Sequence, residues 1–344
     1  MQERPTSGVV LAVGWATSDT RWFTLFSALV VVSVLLVSWR SSWHVRRLVA
    51  TAGLLVVAIT FAALAKSDRG EQHFTRGASD PLEVSNPTFS VVAAGDFGTG
   101  NDQERQVSLA IKEWVGDHGA DAFLSVGDTV YPEGDPRYFE RSWHEPFGWV
   151  ADRGLDVLGT LGNHDYAADD QGRAVMKLLG MPGPWYRTTI GDADIIVLDA
   201  NRLNEESQTR WLRTQLRSAR HDWTIVIMHQ PPYSCSRGGD PQVREHWAPL
   251  LEEYEVDLVI SGHEHNYQRF LSDEQTTYVV TGGGGDRLYP VGDCDARFPP
   301  LVVSDDENHH FFVFEGSATR LEGAAIGMDG SVLDQFTIRK GRDR

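Results

Sequence analysis

Two kinds of hydrophobic pattern divide this chain. Residues 22–39 and 48–65 carry no charge; each run is 18 residues long, one between Arg21 and Arg40, the other between Arg47 and Lys66. As helices each would be about 27 Å long, close to the roughly 30 Å hydrocarbon core of a bilayer. Trp22, Trp39 and Trp43 stand at their ends, where indoles favour the lipid–water interface. The first run begins late and is long for the core of a cleaved signal peptide. The pattern therefore predicts a tail over 1–21, a two-helix transmembrane hairpin over 22–66 and a polar linker over 67–86, punctuated by Gly70, Gly77 and Pro81. Arg40, Arg46 and Arg47 in the short connecting loop favour a cytoplasmic loop and an extracytoplasmic remainder.

From Thr88 onward short apolar runs alternate with helical spacings. Strands are predicted over Ser90–Ala94, Ala122–Val126, Leu155–Thr160, Asp194–Leu198, Trp223–Met228 and Val256–Ile260, and helices over Gln103–Val115, Glu205–Arg217 and Pro241–Tyr254. Beyond residue 270 only strands are predicted: Thr277–Val280, His310–Phe314, Arg320–Ile326 and Val332–Ile338. This predicts one α/β domain over 87–344, in which the late strands form a second sheet packed on the first, with helices outside both.

Charge sharpens the division. The formal net charge is −17, yet residues 1–70 hold seven Lys/Arg against three acids, which leaves −21 on residues 71–344. So acidic a domain is unsuited to non-specific binding of nucleic acid, which needs a basic surface. Cys235 and Cys294 are the only cysteines. Both lie in loop-like sequence, as one disulfide in an oxidising compartment or as two free thiols.

The chemistry lies where the apolar strands end. Five motifs follow them: Gly95-Asp96-Phe97-Gly98, Gly127-Asp128-Thr129-Val130-Tyr131, Gly162-Asn163-His164-Asp165, Met228-His229-Gln230-Pro231 and Gly262-His263-Glu264-His265. Residues at the carboxyl ends of strands in an open α/β sheet converge on one crevice. Asp96, Asp128, Tyr131, Asn163, His229, His263 and His265 together offer enough donors for two cations, and the mixture of oxygen and nitrogen suits iron, zinc or manganese better than calcium or magnesium. His118, His221, His246, His309 and His310 stand outside any motif. Gly282–Gly285 followed by Asp286 and Arg287 reads as a tight turn; it lacks the Lys-Ser/Thr of a nucleotide-binding loop.

The order Gly-Asp, Gly-Asp-x-x-Tyr, Gly-Asn-His-Asp, His-x-Pro, Gly-His-x-His resembles the calcineurin-like metallophosphoesterases, and within them the purple acid phosphatase branch. Many relatives begin Asp-x-His; here Phe97 and Gly98 stand in those places and Tyr131 supplies the compensating ligand. The resemblance implies a four-layer α/β/β/α metallophosphoesterase sandwich, here preceded by two transmembrane helices. It implies one site of Asp96, Tyr131 and His265, a second of Asn163, His229 and His263, and Asp128 bridging both. Tyrosinate favours Fe(III) at the first site, with Fe(II), Zn(II) or Mn(II) at the second. A metal-bound hydroxide would attack phosphorus, with His164 binding phosphate oxygens and protonating the leaving group.

One departure stands out. The better-known acid phosphatases carry a further histidine after the His-x-Pro motif, where this chain has Ser236-Arg237-Gly238-Gly239. Arg237 is either a phosphate-binding cation or a solvated loop charge. The expected function is a membrane-anchored phosphomonoesterase. The alternatives are a phosphodiesterase acting on nucleotides or lipid head groups with the same metals, and a non-catalytic membrane protein that binds a phosphorylated ligand. No pattern in the sequence sets an oligomeric state.

Overall fold

A computed structural model describes residues 87–166 and 171–340, together with Leu82 and Val84. The expected tail, the transmembrane hairpin and all of the linker but those two residues lie outside the described residues. Among the described residues no helix is long and apolar enough to cross a membrane.

Thirteen strands are described, in two sheets. In the first, β1 (Phe89–Ala94), β2 (Ala122–Ser125) and β3 (Asp156–Gly159) run parallel. In the second, β5 (Ala193–Val197), β6 (Trp223–Ile227), β7 (Leu258–Ser261) and β9 (Thr277–Thr281) run parallel, flanked by β4 (Tyr186–Ile190) at one edge and by β8 (Tyr267–Leu271) and β10 (Leu301–Asp305) at the other.

The late strands do not form a sheet of their own. β9 joins β7, whereas β11 (His310–Ser317), β12 (Arg320–Gly327) and β13 (Val332–Arg339) return as an antiparallel meander to the free edge of β1. Backbone pairing explains the return: β1 is buried throughout, and an unpaired buried edge would strand its N–H and C=O groups. Val92 pairs with Val313, which sets the register.

Strand periodicity of two divides the core into three apolar layers. Phe89, Val91 and Ala93 of β1, Phe312 and Phe314 of β11, and Ile195, Ile225 and Ile260 fill the space between the sheets. Val92, Phe311 and Val313 face outward, under Val107, Ile111 and Val115 of α1 (Asp102–His118). Ile196, Val226 and Val259 face the other way, under Leu212 and Leu216 of α3 (Glu206–Ser218); α2 (Arg173–Leu179) packs on the α1 side. The layers are thus helix, sheet, sheet, helix.

The predicted helix Pro241–Tyr254 is interrupted. It divides at Trp247 into α4 (Pro241–His246) and α5 (Ala248–Glu253). Pro249 is the cause: it has no N–H to continue the ladder from the first segment, and is tolerated only in the first turn of the second.

Candidate metal centre

β1, β2 and β3 of one sheet and β6 and β7 of the other run into the five motifs, and the turns after them place the seven expected ligands together. Asp96, Asp128 and His263 take left-handed conformations, with φ of 59°, 51° and 69°. Such conformations cost about 1–3 kcal/mol each and persist where the surroundings enforce them. Gly127, at φ 92°, shows that enforcement, because a Cβ there would strike the His229 imidazole.

Each aspartate divides its oxygens between scaffold and site. Asp96 Oδ2 accepts the His263 N–H at 2.8 Å, and its Oδ1 lies 3.3 Å from His265 Nε2 and 3.9 Å from His229 Nε2. Asp128 Oδ1 accepts the His164 N–H at 2.8 Å; its Oδ2 lies 3.0 Å from Tyr131 Oη and 3.3 Å from His229 Nε2. Tyr131 Oη is also 3.2 Å from His265 Nε2 and 3.5 Å from Asp96 Oδ1. On the far side Asn163 Oδ1 and His263 Nδ1 are 2.9 Å apart, and the His263 and His229 ring centroids are 5.2 Å apart. Asp128 therefore touches members of both ligand groups.

These residues fit a pair of cations. Donors bound to one ion at about 2.0–2.2 Å sit roughly 3.0–3.5 Å from one another, which is the spacing found around Tyr131, Asp128 and His265. Asp96, Asp128 and His229 present donor atoms within 4.8 Å of one another, all buried. His229 Nε2 is buried without a hydrogen-bond partner, while its Nδ1 is held 2.8 Å from the Val126 carbonyl. That is the outer partner expected of a metal-binding imidazole. His265 Nδ1 is held in the same way, 2.9 Å from the Arg287 carbonyl.

Electrostatics point the same way. Burial opposes charge on His229, yet Asp128 and Asp96 hold it protonated up to about 10. Burial, then the charges of Asp128 and Asp96, push the Tyr131 phenol far above its ordinary range. His263 falls to about 3 through burial and the neighbouring His229. The buried carboxylates thus favour positive charge beside His229, while His263 stays neutral, the form in which an imidazole binds a metal.

His164 is half-buried, its Nδ1 2.8 Å from the Pro132 carbonyl and its ring 4.4 Å from that of Tyr131. Arg237 is anchored beside the ligand turn and not loose in solvent: Nε donates to Glu264 at 3.0 Å and Nη2 to the His263 carbonyl at 2.7 Å. Cys235 and Cys294 form a disulfide, which closes the alternative of two free thiols.

Sequence reasoning missed several supporting groups. Asp165 is fully buried and accepts N–H groups from Gly162 (2.9 Å) and Val130 (3.1 Å), tying the Asn163 turn to the Tyr131 turn. Burial and the nearby Asp128 raise its carboxyl to about 7. Its place inside the Gly-Asn-His-Asp motif was the available signal. Gln230 donates to Asn201 at 2.9 Å, and Asn201 to the Leu161 carbonyl at 3.0 Å; Gln230 has no signal in sequence beyond adjacency to His229, and Asn201 has none. His309 and His310, outside any motif, contact Gly283 behind the site.

A family model described as calcineurin-like phosphoesterase matches residues 89–267. An uncharacterised protein of Mycobacterium tuberculosis is 28% identical, with 46% of this chain covered, and the chain spans only 46% of that relative. Mouse tartrate-resistant acid phosphatase type 5 is 27% identical (58% of this chain, 73% of the relative), and Arabidopsis thaliana purple acid phosphatase 3 is 26% identical (72% and 77%). Among solved structures, a yellow lupin purple acid phosphatase superposes with a TM-score of 0.64 at 19% identity, covering 74% of this chain and 54% of its own. Plasmodium GAP50, described as the anchor in the inner membrane complex, gives 0.65 at 18%, covering 74% and 90%. With the two-sheet fold, the ligand cluster and a family match across more than half its residues, the chain belongs to the calcineurin-like phosphoesterase family.

Proposed function

We propose that the domain is a phosphomonoesterase of the purple acid phosphatase type, anchored to a membrane by the apolar runs 22–39 and 48–65, with its cleft on the extracytoplasmic side. The observation that carries the chemistry is the position of Asp128, in contact with Tyr131 on one side and His229 on the other. Asp96, Tyr131 and His265 would hold one cation, with iron(III) favoured by the phenolate. Asn163, His229 and His263 would hold the second, as iron(II), zinc or manganese, with Asp128 shared. Bound there, the pair supplies Lewis acidity and a nucleophile at neutral pH.

The rest falls to this chain's own side chains. The backbone N–H of His164 holds Asp128 while its ring stands half-exposed beside Tyr131. With Nδ1 committed to Pro132, Nε2 is the ring atom left to meet a phosphate oxygen or to protonate the leaving group. Arg237 supplies a fixed cation for a second phosphate oxygen. Asp165 keeps the Asn163 and Tyr131 turns in register.

The test is metal analysis of the purified protein with a panel of mono- and diesters. Iron-loaded protein should absorb in the visible and hydrolyse monoesters preferentially, and Tyr131→Phe should abolish the band. A colourless iron-loaded wild type, or preference for diesters, would refute this form of the proposal. The fold also supports a second reading, since a neighbour of the same architecture is described as an anchor: a protein that takes up metal and phosphate yet hydrolyses no ester would be a binding module. A reporter fused to the C-terminus tests the orientation.

A further inference from the structure

Three segments meet beside the ligand turn, and Tyr289 is their common point. Its ring lies on that of His265, with centroids 4.2 Å apart and planes 14° from parallel. The Arg237 guanidinium carbon lies 4.6 Å from the centre of the same ring. The Tyr289 N–H donates to the His265 carbonyl at 2.9 Å. Its carbonyl accepts from the Asn266 amide at 3.1 Å, and that amide also donates to Ser236 Oγ at 2.6 Å. Two residues before Arg237 and three after Tyr289, the Gly292 N–H donates to the Cys235 carbonyl at 2.8 Å, and the Cys235–Cys294 disulfide closes the assembly.

We propose that Tyr289 is a positioning residue, holding the Arg237 guanidinium in one orientation for a phosphate oxygen. This rests on the phosphoesterase reading above. Three contacts fix Arg237: the Glu264 carboxylate at Nε, the His263 carbonyl at Nη2 and the Tyr289 face. Nη1 has no partner among the described residues, and the side chain is 50% exposed. A guanidinium held on three sides with one nitrogen open meets an anion without first losing the rotamer freedom of a long side chain. A solvated loop arginine would not sit on a carboxylate that is itself 2% exposed. Tyr289 is not one of the seven expected ligands. Its contribution is the ring face and a backbone tied to His265.

The experiment uses metal-loaded full chain and inorganic phosphate as the probe, read as competitive inhibition and by calorimetry, with metal content measured on every sample. Tyr289→Leu should weaken phosphate binding and raise KM roughly five- to tenfold, the scale of a partly desolvated cation–π contact. It should change kcat by less than about twofold, because the chemistry lies with other groups. Tyr289→Phe keeps the face and should restore wild-type affinity. Added to Arg237→Ala, the Leu substitution should cost nothing more, since the residue it positions is gone.

Independent, multiplying effects of the two substitutions would overturn the proposal. So would equal losses in Tyr289→Phe and Tyr289→Leu, or a loss traced to departed metal. If Tyr289→Leu does not fold, the pair Cys235→Ser/Cys294→Ser loosens both loops while keeping the Tyr289, His265 and Arg237 side chains. It should weaken phosphate binding in the same way, and unchanged binding there would overturn the proposal. Metal-loaded wild type that neither binds phosphate nor hydrolyses any ester would remove the functional reading and this proposal together, a result distinct from the variant patterns above.

Discussion

Glu104 turns the support of the metal centre into a measurable pH dependence. It is fully buried on the first turn of α1, and one oxygen accepts N–H of Gly100 while the other has no partner. Burial raises its carboxyl from 4.5 to about 8, against a smaller pull from the Gly100 bond. Its neighbours reach the site: Asn101 donates to the Gly285 carbonyl at 2.8 Å, and the N–H groups of Gly284 and Asp286 bond to the Gly95 and Asp96 carbonyls at 3.0 Å each. Between pH 4.5 and about 8 the native carboxyl keeps its proton and the unfolded chain has released it. The unfolded state binds fewer protons there, so stability is full below the lower value and falls as pH rises through the window. The slope is about 1.4 kcal/mol per pH unit, or about 4–5 kcal/mol across the window. Glu104→Gln cannot ionise and keeps an acceptor for Gly100, so its stability advantage over wild type should grow with pH and level off above about pH 8. In paired thermal unfolding that is a Tm difference of roughly 10–15 °C at pH 8, shrinking toward zero near pH 5. Subtracting the two proteins cancels every other titrating group. Parallel pH profiles would refute the reasoning.

Two further perturbations test the scaffold. Gly127→Ala forces a β-carbon into a left-handed turn and against His229; it should cost about 2–4 kcal/mol in urea unfolding and lower metal stoichiometry, and full metal content at wild-type stability would contradict this. The Arg269–Asp334 ion pair joins β8 of one sheet to β13 of the other at 2.6 Å, both side chains at most 2% exposed, and Tyr267 also donates to Asp334 at 2.8 Å. Asp334→Ala should lose about 3–5 kcal/mol by leaving a buried charge, whereas Arg269→Met with Asp334→Leu should recover most of it; a double variant as unstable as the single would show that packing, not charge, is at stake.

That ion pair also shows where sequence reading stops. Ligand turns are legible because an apolar run that halts at Gly-Asp or Gly-Asn-His needs no partner to be noticed. Arg269 reads as a surface charge, and only the opposing Asp334, 65 positions away, makes it a core residue. The late strands were visible as strands, but their division between sheets depends on which buried edge lacks a partner, a property of the assembled β1 and not of any window. Tyr289 carried no motif because its contacts with His265 and Arg237 are a property of converging loops. Pro249 was a local signal, and the interruption it imposes on 241–254 follows from proline chemistry alone.

Residues at the centre break local preference, and they do so as a set. Six non-glycine residues among those described have positive φ, and three of them are Asp96, Asp128 and His263. The strain has a geometric return. With the chain turned there, each aspartate gives one oxygen to a backbone N–H of another ligand turn, His263 for Asp96 and His164 for Asp128, and keeps the other facing the cluster. A carboxylate fixed at one oxygen cannot rotate away when like charges approach. The close packing of Asp96, Asp128 and Tyr131 is therefore held by the sheets beneath it. Two buried sheets whose strands end at a common crevice make that strain supportable, which is why the ligands occupy strand ends and not the surface loops between helices.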